Sequence, residues 1–497
     1  MRFRLIMLAP VFAFIALASW ALASPVGAAP DDDFHLVSTW CETGDPSHCE
    51  ETGDPQTRIV PQALLSVACY AFDPQKSAGC QEAVFSGPET PNTVTKRGNF
   101  QGNYPPVYYA VMSPLVGTSV EASALAMRLF NVALFVALTT TVFALLPVAR
   151  RPNLLWGWLI TTVPLGLFLI ASNNPSGWAC VGVGTAWLSL LGYYESEGRR
   201  RWGLAVTFAI SVLMAAGSRG DSAAYVVVAI GAVMVVKFAR RRSYLLASIL
   251  PILAVVVALL FYLHASQVDI ASSGFHGKSE SAPRTDEQLS PFALFSNNLL
   301  EAPFLWVGVF GAWNLGWLDT GLPAIVLWAG AASFIGAGFV GLASMNARKA
   351  IVTGGVALLL IAIPTYVLTV SGNQVGSNLQ PRYLLPLIIL FGGLLMMEAN
   401  GRRIRLTRVQ LLAIGLALTA SNMVALEANI RRYVTGIDKQ GLDLDAGREW
   451  WWHVPFGANA VWITGTVAFA GLVYILLREI NHAAAPVAAT LSVSRTS

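Results

Sequence analysis

Pro30-Asp31-Asp32-Asp33-Phe34-His35 follows an uncharged, mostly apolar run from Leu5 to Ala29, with Arg2 and Arg4 in front of it. The run reaches the roughly 20 residues that a helix needs to cross a bilayer. Three carboxylates and a histidine therefore stand where the first apolar segment leaves the membrane. Ala21-Leu22-Ala23 and Val26-Gly27-Ala28-Ala29 also fit signal-peptidase sites. A retained first helix is the preferred reading, because cleavage would leave the acidic cluster untethered. If the cluster is helical, His35 sits four residues after Asp31 and three after Asp32, so the three share one face. A carboxylate beside lipid with an imidazole in reach is tunable toward neutral pH, as a general base must be. The plainer alternative is a solvated acidic flank.

Of 497 residues, 55% are hydrophobic and 12% charged, and mean hydropathy is +0.57. That composition belongs to a membrane protein. A net charge of +4 gives no footprint for nucleic acid. After the first segment, apolar stretches recur at 125–148, 154–172, 178–194, 203–217, 222–236, 244–264, 321–343, 350–370, 383–398, 409–427 and 459–477. The expected fold is therefore an all-α polytopic membrane protein with about twelve transmembrane helices. The count falls to ten if 203–217 and 222–236 form a re-entrant hairpin around Arg219 and Asp221, two residues expected to pair with each other. Basic residues gather in alternate short loops, at 150–151, 199–201, 237–242, 348–349 and 402–408. By the positive-inside rule those loops and both termini are cytoplasmic, which places the protein in the cytoplasmic membrane.

The chain divides into a first helix (1–29), a large external loop with juxtamembrane helices (30–124), helices two to seven (125–264), a second external loop (265–320), helices eight to twelve (321–481) and a disordered cytoplasmic tail (482–497). The first loop holds Cys41, Cys49, Cys69 and Cys80. An even number in one external loop suggests two disulfides; of three connectivities, Cys41 with Cys49 and Cys69 with Cys80 closes the shortest loops. Glu-Thr-Gly-Asp-Pro occurs at 42–46 and again at 51–55 and reads as a doubled turn. The loop ends in Tyr104-Pro105-Pro106-Val107-Tyr108-Tyr109, either an interface belt or an aromatic platform for a sugar or headgroup. The second loop carries His276, Lys278 and Arg284. Its apolar half, 292–317, suits an interfacial helix, because Asn297, Asn298 and Glu301 interrupt it. Arg382 stands at the outer mouth of a helix, where a guanidinium needs an anionic partner; Asp319 is one such partner. Trp450-Trp451-Trp452-His453 reads as an interface anchor.

Pro30 to His35, Tyr104 to Tyr109, Asn173-Asn174-Pro175-Ser176-Gly177, Gly316-Trp317-Leu318-Asp319-Thr320 and Gln380-Pro381-Arg382-Tyr383 occur in an order that resembles a family of bacterial integral membrane proteins classed as a domain of unknown function. The pattern is similar to that of the GT-C glycosyltransferases. The resemblance implies a polyprenyl-phosphate-linked sugar donor, a cell-envelope glycan or protein acceptor, and a catalytic Asp or Glu just after the first helix. It assigns Asp31 or Asp32 as base with His35 beside it. Arg382 would take the donor phosphate, with Arg284 and Lys278 as weaker candidates. Tyr104, Tyr108 and Tyr109 would border the acceptor groove, and Asp319 joins the substrate-binding set. Clustered carboxylates also bind Mg²⁺ or Mn²⁺, although the resemblance does not require a metal. Two other classes fit the same chain: a transporter or flippase of lipid-linked glycan, and a non-catalytic scaffold for envelope assembly.

Overall fold

The computed structural model describes residues 5–85, 91–265, 289–399 and 403–484. His276, Lys278, Arg284 and the tail beyond 484 lie outside the described residues. The principal helices are α1 (Ala9–Leu22), α2 (Asp32–Cys41), α3 (Val107–Met112), α4 (Val120–Leu145), α5 (Arg151–Leu159), α6 (Leu165–Ile170), α7 (Pro175–Glu195), α8 (Gly198–Ala216) and α9 (Gly220–Lys237). They continue with α10 (Ile249–His264), α11 (Pro291–Val307), α12 (Ala324–Gly341), α13 (Ala347–Val370), α14 (Pro381–Leu395), α15 (Arg408–Val434) and α16 (Ala458–Ala484). Among the described residues, eight helices are long and apolar enough to cross a bilayer: Leu5–Leu22, Val120–Leu145, Gly220–Lys237, Arg242–His264, Ala324–Gly341, Ala347–Val370, Arg408–Val434 and Ala458–His482. The chain is a multi-pass, mostly helical membrane protein.

Four of the twelve expected segments, 154–172, 178–194, 203–217 and 383–398, are not among these eight, and the last is a shorter apolar helix, Pro381–Leu395. The stretch expected as one span at 154–172 is broken into α5 and α6. Pro164 supplies no N–H there, and the hydroxyls of Thr161 and Thr162 donate to the carbonyls of Gly157 and Trp158 at 2.6 and 2.8 Å. Helix α7 is buried along its whole length from Pro175 to Tyr193, so it faces protein rather than lipid and needs no strongly apolar sequence. A Cβ at Gly182 would stand 2.5 Å from the Ala215 nitrogen; glycine is what lets α8 approach so closely. The doubtful pair becomes two separate helices, α8 and α9. Helix α11, in the stretch expected to hold an interfacial helix, packs on one side and is open on the other: the Asn298 amide is buried and donates to the Asn373 carbonyl at 2.9 Å beyond α13, while Phe292 and Leu300 are exposed.

The segment from 42 to 95 is not all helix. β1 (Glu50–Glu51), β2 (Arg58–Pro61) and β3 (Asn92–Thr95) form an antiparallel sheet in the order β1-β2-β3. The second copy of the doubled turn, 51–55, leads into the reversal between β1 and β2, and the first precedes β1. In each copy the aspartate accepts from the N–H two residues on, Asp45 from Ser47 at 2.8 Å and Asp54 from Gln56 at 2.9 Å, the local bond that makes Asp a turn residue. Disulfides join Cys41 to Cys49 and Cys69 to Cys80.

Between α1 and α2 the chain leaves helical geometry yet stays buried, from Ala23 to Pro30. Buried carbonyls without partners are costly, and here side chains from distant segments satisfy them. Arg128 of α4 donates to the carbonyls of Ala21, Ser24 and Pro25 at 3.1, 2.6 and 2.6 Å. Trp452 donates to Leu22, Asn429 to Ala23, Tyr70 and Gln81 to Val26, Trp317 to Gly27, and Asn174 to Pro30. The tryptophan cluster also packs within the protein: Trp450 and Trp452 are buried and Trp451 is half-buried.

Arg128→Leu should cost about 3–5 kcal/mol by stranding Asp32 and three carbonyls. Removing the half-exposed Arg97 cation should cost no more than about 1 kcal/mol. Thermal unfolding of the two variants in detergent separates them, and equal losses would contradict this account.

Candidate functional site

Asp31 is the N-terminal cap of α2 and has a left-handed backbone, φ 62°. An aspartate tolerates that conformation better than most residues. The kink turns adjacent carboxylates in opposite directions. Asp31 points outward, its Oδ2 accepting from Arg382 at 2.8 Å and its Oδ1 from Arg97 at 3.0 Å. Arg97 also forks onto Asp33 at 2.7 and 2.9 Å. Asp32 points inward: it is fully buried, accepts from the Ala29 N–H at 3.3 Å, and lies 3.8 Å from the Arg128 guanidinium. Asp32 is therefore turned away from the face expected to join it to Asp31 and His35, while Asp31 and His35 remain close enough to act on each other. His35 is buried and its Nδ1 pairs with the Tyr109 hydroxyl at 2.9 Å.

These environments drive the three groups apart. Burial raises the Asp31 carboxyl, but Arg382, His35 and Arg97 outweigh it and hold that carboxyl well below the usual range. Burial pushes Asp32 up to about 7, against Arg128 and the Ala29 N–H. His35 is pushed down to about 3 by burial and by Arg382, Arg219 and Arg97, against the pull of Asp31. At neutral pH Asp31 is a paired anion and His35 a neutral imidazole.

A third guanidinium, which the sequence marked only as a partner of Asp221, completes the cluster. Arg219 donates to both Asp221 oxygens at 2.9 and 2.8 Å and reaches the Ser176 hydroxyl at 3.4 Å. It lies 4.6 Å from the Tyr383 ring centroid and 5.6 Å from that of Tyr104; Arg382 lies 5.1 Å from the Tyr383 ring. Two guanidinium groups thus meet around one aromatic ring, an arrangement suited to a planar or multivalent anion. Asn174-Pro175-Ser176 also contributes. Asn174 caps α7 by accepting from the Ser176 N–H and donates its own amide to the Pro30 carbonyl at 2.8 Å.

Other expected members are elsewhere. Tyr108 and Tyr109 are buried, Tyr108 packed edge-on to Trp178, so neither lines an accessible groove; Tyr104 is half-buried. Asp319 pairs with Arg432 at 2.7 Å and accepts from the Phe72 N–H at 3.0 Å. It is an internal brace, and Arg382 takes Asp31 instead. Among the described residues, no three His, Cys, Asp or Glu side chains converge as a metal site. The oxygens of Asp31 and Asp33 are occupied by arginines, an environment that does not fit Mg²⁺ or Mn²⁺. Three non-glycine residues among those described have positive φ, namely Asp31, Phe72 and Leu318. Leu318 and Arg382 line one small recess with Pro30 and Gln380, so backbone strain gathers near the charges.

These features define a multi-pass membrane protein with an arginine-rich cluster gathered at the exit of its first helix. A family model described as "Predicted membrane protein (DUF2142)" matches residues 14–391, and the chain belongs to that family. The match includes Asp31, Arg97, Arg219 and Arg382. No curated protein and no solved structure matches the chain.

Asp32 gives a pH signature. Its folded carboxyl sits above the ordinary 3.8, so the folded state holds a proton that the unfolded chain has released. The contribution is fully present below about pH 3.8 and declines as pH rises toward 7. Asp31, shifted the other way, loses its contribution only in more acidic solution. Between pH 5 and 8 the melting temperature of wild type should therefore fall more steeply than that of Asp32→Asn; parallel profiles would refute the assignment.

Proposed function

We propose that the protein is a GT-C-type glycosyltransferase that moves a sugar from a polyprenyl-phosphate donor to a cell-envelope acceptor at the external face of the cytoplasmic membrane. The observation that carries the reading is the partly exposed Asp31 carboxylate shared between Arg382 and Arg97, with Arg219 across the Tyr383 ring. The two disulfides support the external placement, since they persist in oxidising compartments.

In this reading the donor phosphate displaces Asp31 from Arg382 and lies between Arg382 and Arg219. That exchange has a chemical purpose. An aspartate held by two guanidiniums is a poor base, and losing one of them raises its proton affinity. The released carboxylate accepts the proton of the acceptor hydroxyl as that oxygen bonds to the anomeric carbon. The bond from that carbon to the phosphate oxygen breaks, and polyprenyl phosphate leaves with its charge on the arginines. Asp32 and His35, both buried, act by position: Asp32 on Arg128, and His35 on Tyr109.

One observation favours a second reading. The break between α5 and α6 resembles the discontinuous helices of carriers, which suits a flippase of lipid-linked glycan. Transfer of labelled sugar from polyprenyl-phosphate donors by purified protein decides between them. Asp31→Asn should lower turnover by about 10²–10⁴-fold with folding retained, and Arg382→Ala by a comparable factor, with partial recovery in Arg382→Lys. Donor movement across liposomes without any transfer, equal in wild type and Asp31→Asn, would overturn the enzyme reading in favour of the flippase.

A further inference from the structure

A cavity of about 530 Å³ lies between α1, α4, α5, α6 and α16, lined by Ile6, Leu17, Phe143, Leu155 and Leu476 among others. It occupies the half of the bundle away from the acidic turn. Helix α4 passes that turn at Arg128 and reaches the cavity only further along, through Phe143 and Ala144. Left empty, a space of this size would deprive its lining of packing partners on one side. Water fits it poorly, because a buried water needs two to four polar partners. The hydroxyls of Thr139 and Thr162 in its wall already donate to the carbonyls of Phe135 and Trp158 at 2.7 and 2.8 Å. What suits such a wall inside a membrane is a hydrocarbon chain.

The rim adds a charge. Arg151 lines the cavity, its guanidinium 4.8 Å from the Phe143 ring centroid. The same guanidinium donates from Nη2 to the Ala144 carbonyl at 3.4 Å, and the neighbouring Arg150 pairs with Glu195 at 2.8 Å. A guanidinium flattened on an aromatic ring at the head of an apolar slot matches an anion that trails a hydrocarbon chain. We infer that this cavity binds one acyl chain of an anionic phospholipid, with Arg151 holding the headgroup phosphate. The site is separate from the acidic turn and does not depend on the proposed transfer reaction.

The test is lipid retention by the full chain. Protein purified in mild detergent is stripped, reloaded from vesicles containing phosphatidylglycerol, phosphatidylcholine and polyprenyl phosphate, and weighed by native mass spectrometry. Wild type should retain one phosphatidylglycerol per chain. Thr139→Phe, which fills the slot, should lower retention at least tenfold without lowering the melting temperature. Arg151→Gln should still bind a phospholipid but lose the preference for phosphatidylglycerol. Absence of retained lipid on folded wild type, undiminished retention in Thr139→Phe, or preferential retention of polyprenyl phosphate would each overturn the inference. If Thr139→Phe fails to fold, the wild-type competition and Arg151→Gln still decide it.

Discussion

The structure depends on satisfying the carbonyl groups of one buried, irregular stretch. Beyond the end of α1, from Ala23 to Pro30, the chain has too little regular structure to pair its own backbone, and it is buried throughout. Arg128, Trp452, Asn429, Tyr70, Gln81, Trp317 and Asn174 reach in from separate parts of the sequence to do so. Each donor fixes a helix or loop relative to that stretch. The position of Asp31 at its end is thereby set by the whole bundle rather than by α2 alone.

That rigidity explains how neighbouring acids acquire opposite characters. One residue of left-handed backbone sends Asp31 toward Arg382 and Arg97 and Asp32 toward Arg128. The first lies partly open and strongly favours its charge; the second lies in the interior and resists it. Proton affinity here follows direction and solvation more than sequence position. The same scaffold keeps Arg219 and Arg382 near each other, a costly placement for two cations that Asp221, Asp31 and the Tyr383 ring relieve.

The membrane class, the sequential disulfides, the doubled turn and the pairing of Arg219 with Asp221 were legible, because each rests on composition or on partners close in sequence. What escaped were contacts made across long separations. Arg97 carried no mark, since its partners Asp31 and Asp33 lie far upstream. Tyr108 and Tyr109 looked like surface aromatics, because only packing against α7 and His35 hides them. The small residues at 23–29 resemble a peptidase site, yet they also suit close packing: a Cβ at Gly27 would stand 2.7 Å from the Val67 side chain. Hydropathy does not separate a helix that lipid surrounds from one that protein surrounds, as in α7, for it registers what is apolar and not what surrounds it.

The donors to the 21–30 stretch also impose an order in time. Its carbonyls leave the ribosome well before Asn429 and Trp452, which follow the residues they bind by 406 and 430 positions. During synthesis the stretch must wait, hydrated or temporarily paired, until α15 and the segment after it are made and close around it. The turn that carries Asp31 is consequently held by its full set of donors only once these distant segments have been made.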